Sequence, residues 1–154
     1  MNSSPPDEVV ILSTSECWAL LREAAVGRLA VVVGDQPEIF PVNFLVDHGS
    51  VTFRTAEGTK LSASVGHRVG FEADGYDPHT GQAWSVMVKG KAREVKKLDE
   101  VVHALDLPLF PWHAKPKPRF VEIVADGISG RRFSVLDSPA AHTERPRVPH
   151  TAPE

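Results

Sequence analysis

Arg28-Leu29-Ala30-Val31-Val32-Val33-Gly34-Asp35-Gln36 is a run of apolar, mostly β-branched residues that stops at a Gly-Asp turn signal. Valine at χ1 suits a pleated, half-buried surface better than a helix, so the run predicts a strand. A second run, Ile39-Phe40-Pro41-Val42-Asn43-Phe44-Leu45-Val46, ends at Asp47-His48-Gly49, and Val51-Thr52-Phe53-Arg54-Thr55 makes a third. Three such runs joined by short polar turns predict an antiparallel meander. Pro41 has no N–H for a ladder and marks an edge, a bulge or a bend in the second strand.

Upstream the period changes. Ser13 and Glu16 have capping-box spacing, and Trp18, Leu21, Ala24 and Ala25 recur at helical intervals, so a helix is expected there, with Gly27 at its C′ position. Downstream, residues 60–65 read as a short helix ending at Gly66, and residues 68–73 as a strand. Residues 74–81 read as a polar loop, and 84–95 as a long strand whose Gly90 suggests a bulge or tight bend. A second short helix is expected over 98–105, an irregular ordered segment over 108–118, and final strands over 119–124 and 131–136. The fold class is therefore mainly β: about six antiparallel strands with short helices, closed or nearly closed into a barrel that removes its edges. Residues 1–10 and the proline-bearing stretch 137–154 are expected to lack structure, leaving 11–136 as one domain.

The hydrophobic share of 42%, charged share of 24% and net charge of −3 are those of an ordinary soluble globular chain. Without a basic run, neither nucleic acid nor an anionic membrane is expected as an electrostatic partner. The Lys115-Pro116-Lys117-Pro118-Arg119 run is too short to change this. The longest apolar runs are strand-sized, against the roughly 20 residues of a spanning helix. Cys17 is the only cysteine, and the first ten residues lack the basic flank and apolar core of a secretory leader, so a cytoplasmic location is expected.

The chemistry concentrates in Thr52-Phe53-Arg54-Thr55-Ala56-Glu57-Gly58-Thr59-Lys60-Leu61, a strand that breaks and turns into a short helix. Arg54 offers a forked donor, Lys60 a point charge, Thr55 and Thr59 hydroxyls, and Gly58 close backbone approach. That set suits a phosphate; it also suits a solvated turn. Asn43, flanked by bulky apolar residues, has an amide able to read the edge of a heteroaromatic ring, or it faces solvent from an edge strand. Trp84-Ser85 pairs a stacking surface with a hydroxyl, and Trp84 equally fits a core or interface. The seven histidines show no metal-ligand spacing, so no metal is expected. Cys17 fits a buried apolar role.

Taken in order, these elements resemble the flavin-binding split-barrel proteins related to pyridoxamine 5′-phosphate oxidase, and more closely the small subgroup that includes the nitroimidazole-resistance proteins. The residues that carry the resemblance are Gly27-Arg28-Leu29-Ala30, Pro41-Val42-Asn43-Phe44, Phe53-Arg54-Thr55, Gly58-Thr59-Lys60-Leu61, Val69-Gly70-Phe71-Glu72 and Trp84-Ser85-Val86 leading to Gly90, with Ile128-Ser129-Gly130-Arg131 a weaker echo. The resemblance implies a six-stranded split barrel forming a homodimer, with FMN in clefts between subunits. It implies that Arg54, Thr59 and Lys60 hold the FMN phosphate beside Gly58. Thr55, Pro41, Val42 and Asn43 would then line the ring system, and Trp84 and Ser85 would contact the cofactor. The tryptophan–arginine pair that the oxidases use for substrate has no secure counterpart here, so pyridoxal phosphate synthesis is not implied. The expected activity is that of an FMN-dependent oxidoreductase carrying electrons from NAD(P)H to a small organic acceptor. No side chain stands out as a catalytic acid or base. A deazaflavin-dependent reductase of the same fold and a flavin-binding carrier without turnover are the alternatives.

Overall fold

The computed structural model describes residues 8–56, 58–96 and 119–135. In chain order they form β1 (Val10–Ile11), α1 (Thr14–Glu23), β2 (Val26–Val33), β3 (Gln36–Asp47), β4 (Ser50–Thr55), α2 (Thr59–Ser64), β5 (Arg68–Asp77), β6 (Gln82–Glu94) and β7 (Arg119–Ser134). The sheet order is β1-β7-β4-β3-β2-β5-β6, and β6 returns to β7, which closes β2 to β7 into a six-stranded barrel. Every ladder is antiparallel. The expected meander, the closed barrel and the two helices at 14–23 and 59–64 are all present.

Alternation of side chains fills the interior. On β2, Gly27, Leu29 and Val31 are buried between exposed Val26, Arg28, Ala30 and Val32; on β6, Val86, Val88, Gly90 and Ala92 alternate with Met87, Lys89, Lys91 and Arg93. Phe53, Phe71, Leu29, Val51, Val121 and Ile123 meet inside, joined by Cys17 and Leu21 from α1. Ser13 Oγ accepts the Glu16 N–H at 3.2 Å, so the capping box starts α1 where its spacing places it. No helix among the described residues is long and apolar enough to cross a membrane.

Four elements differ from expectation, each for a physical reason. Gly27 does not cap α1; Ala24 does, in extended conformation, and Gly27 lies inside β2. A Cβ there would stand 2.2 Å from Cζ of Phe71, so the glycine makes room for a ring rather than for a turn. The polar stretch 74–81 is mostly strand: β5 runs to Asp77, and only a tight turn remains. There the Asp77 carbonyl accepts the Gly81 N–H and its carboxylate accepts the His79 N–H. The two final strands are one. Asp126-Gly127 does not break β7 but bulges it, because Gly90 pairs with Ala125 and Lys89 with Gly127, leaving Asp126 to fork onto Arg68 (Nη2–Oδ1 2.8 Å). Val10, expected to lie in an unstructured stretch, pairs with Arg132. The expected helix over 98–105, the segment 108–118 and the tail 137–154 lie outside the described residues.

Candidate functional site

β3 and β4 pair from Asp47–Ser50 only as far as Phe44–Phe53. Beyond that point β3 stays with β2, placing Asn43 opposite Val26, Val42 opposite Gly27 and Pro41 opposite Arg28. β4 instead stays with β7, placing Arg54 opposite Phe120 and Thr55 opposite Arg119. The barrel wall therefore opens between Asn43 and Arg54, and two groups of expected site residues occupy its opposite lips. Pro41, with no N–H for a second ladder, is exposed on one lip; Asn43 is half-buried beside it. Val42 turns its side chain into the core and is 2% exposed, so its backbone is what it can offer a site.

The cations at the opening rest on aromatic faces. The Arg54 guanidinium lies 5.8 Å from the Phe120 ring centre, and Lys60 Nζ lies 5.6 Å from that of Phe40. Burial pushes the Lys60 ammonium below the ordinary lysine range. Neither cation has a carboxylate partner among the described residues. Arg28, Arg68, Arg93 and Arg119, by contrast, are all ion-paired. Gly58 precedes α2 at φ 147°, on the side of the backbone map open to glycine, and among the described residues no side chain caps the helix. Thr55 Oγ1 donates to the Ala56 carbonyl at 3.2 Å, and Thr59 is exposed on the first turn, its carbonyl accepting from Ser62 Oγ. Two partly buried positive charges with no counter-charge among the described residues, flanked by hydroxyls at an opening, favour an anion.

Trp84 and Ser85 lie elsewhere on the sheet. Adjacent in β6, they face opposite ways: Trp84 packs against the core, its indole across Gly75, while Ser85 faces outward between Asp74 and Arg131. The β2–β5 register (Arg28 with Glu72) carries Asp74 to the level of Val26, the partner of Asn43. Ser85 and Asn43 thus share the outer face three strands apart, about 14 Å along the surface. One chain brings Pro41, Asn43, Arg54, Thr55, Gly58, Thr59 and Lys60 together, and leaves Trp84 and Ser85 outside that group. Between them Arg28 bridges Glu72 and Asp74, both at 3.2 Å; burial and the adjacent Asp74 raise the Glu72 carboxyl above its ordinary value.

Sequence reasoning gave no site role to the rings beneath the cations, Phe40 and Phe120, or to Arg119, and it had Arg131 only in the weaker echo. Arg119 stands opposite Thr55 and is bonded to Glu94, whose carboxyl it holds below the ordinary carboxylate range. Arg131 is exposed opposite Ser85 and has no carboxylate partner among the described residues. These placements come from cross-strand register over long separations, for which local sequence carries no signal.

Comparison with known proteins matches residues 13–132 to the family model described as pyridoxamine 5′-phosphate oxidase. An uncharacterized protein of Mycobacterium tuberculosis is 36% identical over 85% of this chain and 89% of its own length. A solved structure of an FAD binding protein from Mycobacterium smegmatis is 44% identical, with a TM-score of 0.72 over 81% of this chain and 98% of that one. A Bacteroides thetaiotaomicron structure, named as a candidate 5-nitroimidazole antibiotic resistance protein, shares the fold at 15% identity and TM-score 0.68, over 82% of this chain and 88% of its own.

Proposed function

The chain belongs to the pyridoxamine 5′-phosphate oxidase family, and on that premise we propose that it is a flavin-binding oxidoreductase that holds FMN at the opening between β3 and β4. The observation that carries the proposal is the pair Arg54 and Lys60, two cations on the lips of the split with no carboxylate among the described residues to neutralise them. The donor set fits a phosphate monoester: a planar fork, a point charge, the hydroxyls of Thr55 and Thr59, and a glycine at the bend. Asn43, on the facing lip, has an amide able to donate to and accept from a ring edge. When bound, a flavin supplies two-electron redox chemistry, here between NAD(P)H and a small organic acceptor; the chain's residues bind and orient it.

A homodimer with the cofactor between subunits is part of the proposal. Its support is the outer face of β2, β3, β5 and β6, where Val26, Val32, Ile39 and Met87 are exposed around the Arg28–Glu72–Asp74 cluster. A second copy seated there would bring another Ser85 and Arg131 toward the opening, the groups that one chain leaves apart.

FAD is the competing occupant, because the 44% identical M. smegmatis structure is an FAD binding protein. The test is the visible spectrum of purified protein, followed by titration with FMN, FAD and a deazaflavin under fluorescence detection. Tight uptake of FMN supports the proposal; preference for FAD or deazaflavin replaces the cofactor and keeps the site. Protein that takes up none of the three overturns it. Stopped-flow mixing with NADPH then separates a reductase, whose flavin band bleaches rapidly, from a carrier, whose band persists.

A further inference from the structure

The split has a defined apex, and the residues that set it form a chain of contacts across four strands. Phe44 and Phe53 are the last paired residues of β3 and β4. The Phe44 ring meets the Phe71 ring edge-on, centroids 4.7 Å apart and planes at 66°. Phe71, from β5, in turn lies across Gly27 of β2: a Cβ on Gly27 would stand 2.2 Å from its Cζ and 2.5 Å from its Cε2, with the Glu72 carbonyl oxygen at 3.1 Å. Phe71 is 1% exposed and Phe44 5%. The Phe71 ring therefore touches both the Gly27 slot and the Phe44 ring, and Gly27 itself pairs with Val42 on the lip of the opening.

We propose that Gly27 and Phe71 are positioning residues for the cofactor site: the ring seated in the Gly27 slot fixes Phe44, and so fixes where β3 parts from β4 and how far Asn43 stands from Arg54. This rests on the reading of the opening as the flavin site. Interiors are packed at crystal density, so a methyl group at position 27 must displace the Phe71 ring, and Phe44, packed against that ring, must readjust. Neither residue is asked to contact the cofactor; their effect passes through Phe44 and the apex. Groups that must converge on one ligand tolerate little displacement, because a shift of one lip misaligns all of its donors together.

The experiment compares wild type, Gly27→Ala, Phe71→Leu and the double variant Gly27→Ala/Phe71→Leu by FMN titration, the visible circular dichroism of bound flavin, and the thermal midpoint of the apo protein. Phe71→Leu is expected to weaken FMN binding roughly three- to tenfold, the scale of one aromatic edge contact, and to alter the flavin dichroism. Gly27→Ala is expected to weaken binding more, and the double variant to bind more tightly than Gly27→Ala alone, because leucine clears the slot. Should Gly27→Ala not fold, Phe71→Leu decides alone. Variants that lower the thermal midpoint but keep wild-type affinity and dichroism overturn the proposal and leave the flavin reading standing. Wild-type protein that takes up no flavin overturns both.

Discussion

Lys60 Nζ lies 5.6 Å from the centre of the Phe40 ring, which ties α2 to the lip of β3 and keeps the ammonium partly out of water. The pH consequence has two opposite signs. A phosphate needs the protonated lysine, so its affinity falls as pH rises through the Lys60 value, and this begins lower than for an exposed lysine near about 10.4. The apo fold behaves the other way: the unfolded chain binds the proton more tightly, so stability rises with pH across the same window. Flavin titration as pH is raised toward about 10.4, beside thermal melts of apo protein, should show affinity falling while the midpoint gains from this residue. In Lys60→Arg the guanidinium stays charged, and the affinity slope should vanish. A slope that survives in Lys60→Arg removes Lys60 from the anion site.

Removing both cations tests the site as a whole. Each charge-assisted contact is worth about 1.5–3 kcal/mol, so Arg54→Ala/Lys60→Ala should lose at least about a hundredfold in flavin affinity. Both residues stand at the opening, and the apo midpoint should change little. Equilibrium dialysis against FMN measures it; retained occupancy would mean that the phosphate sits elsewhere.

Gly90 is where β6 bends against β7. A Cβ there would lie 2.1 Å from the Val124 carbonyl oxygen and 2.9 Å from its carbon, and backbone has little room to yield. Gly90→Ala should cost about 3 kcal/mol or more, a drop of roughly 6–12 °C in midpoint. Gly70→Ala, where the nearest atom is Ala30 Cβ at 3.6 Å, is the matched control and should be nearly neutral. Equal midpoints for the two variants would contradict this packing.

Glu94 is bonded to Arg119 and has Lys96 Nζ at 3.7 Å, and its side chain is 9% exposed. Arg119 holds the carboxyl below its ordinary value, so the pair stabilises the fold above about pH 4.3 and the contribution is lost as pH falls through the lower folded value. Glu94→Gln should cost about 1–2 kcal/mol at neutral pH, discounted for the part-exposed Arg119, and should flatten the acid limb of a midpoint-against-pH curve. An acid limb unchanged in the variant would assign it to other carboxylates.

The meander was legible in the chain because its strands are local: apolar runs of strand length, turn residues between them, and hairpin pairing that needs no distant partner. The residue types of the opening were legible for the same reason, Arg54 to Lys60 being one short segment. Register was not. That Asn43 and Arg54 stand one residue past the last β3–β4 pair depends on where Phe44 meets Phe53, and this in turn on a ring contributed by β5. Gly27 read as a helix terminator because glycine serves both purposes, and only the position of Phe71 separates them. Asp126-Gly127 read as a break because a bulge and a turn use the same residues; the forked bond from Arg68 decides for the bulge. Trp84 and Ser85 read as a unit because they are adjacent, whereas a strand sends neighbours to opposite faces.

β7 has a consequence for the order in which the molecule can assemble. It pairs with β4, β6 and β1 at once, and the β1 contact joins Val10 to Arg132. On a ribosome, β2 to β6 emerge first and can form hairpins, yet the sheet keeps two raw edges until β7 follows. Closure must await a partner from far along the chain, which places its entropic cost late and favours slow maturation over rapid collapse. Until then the exposed edges of β4 and β6 are open to wrong partners, so nascent or partially unfolded chains should be the aggregation-prone species while the finished barrel is not.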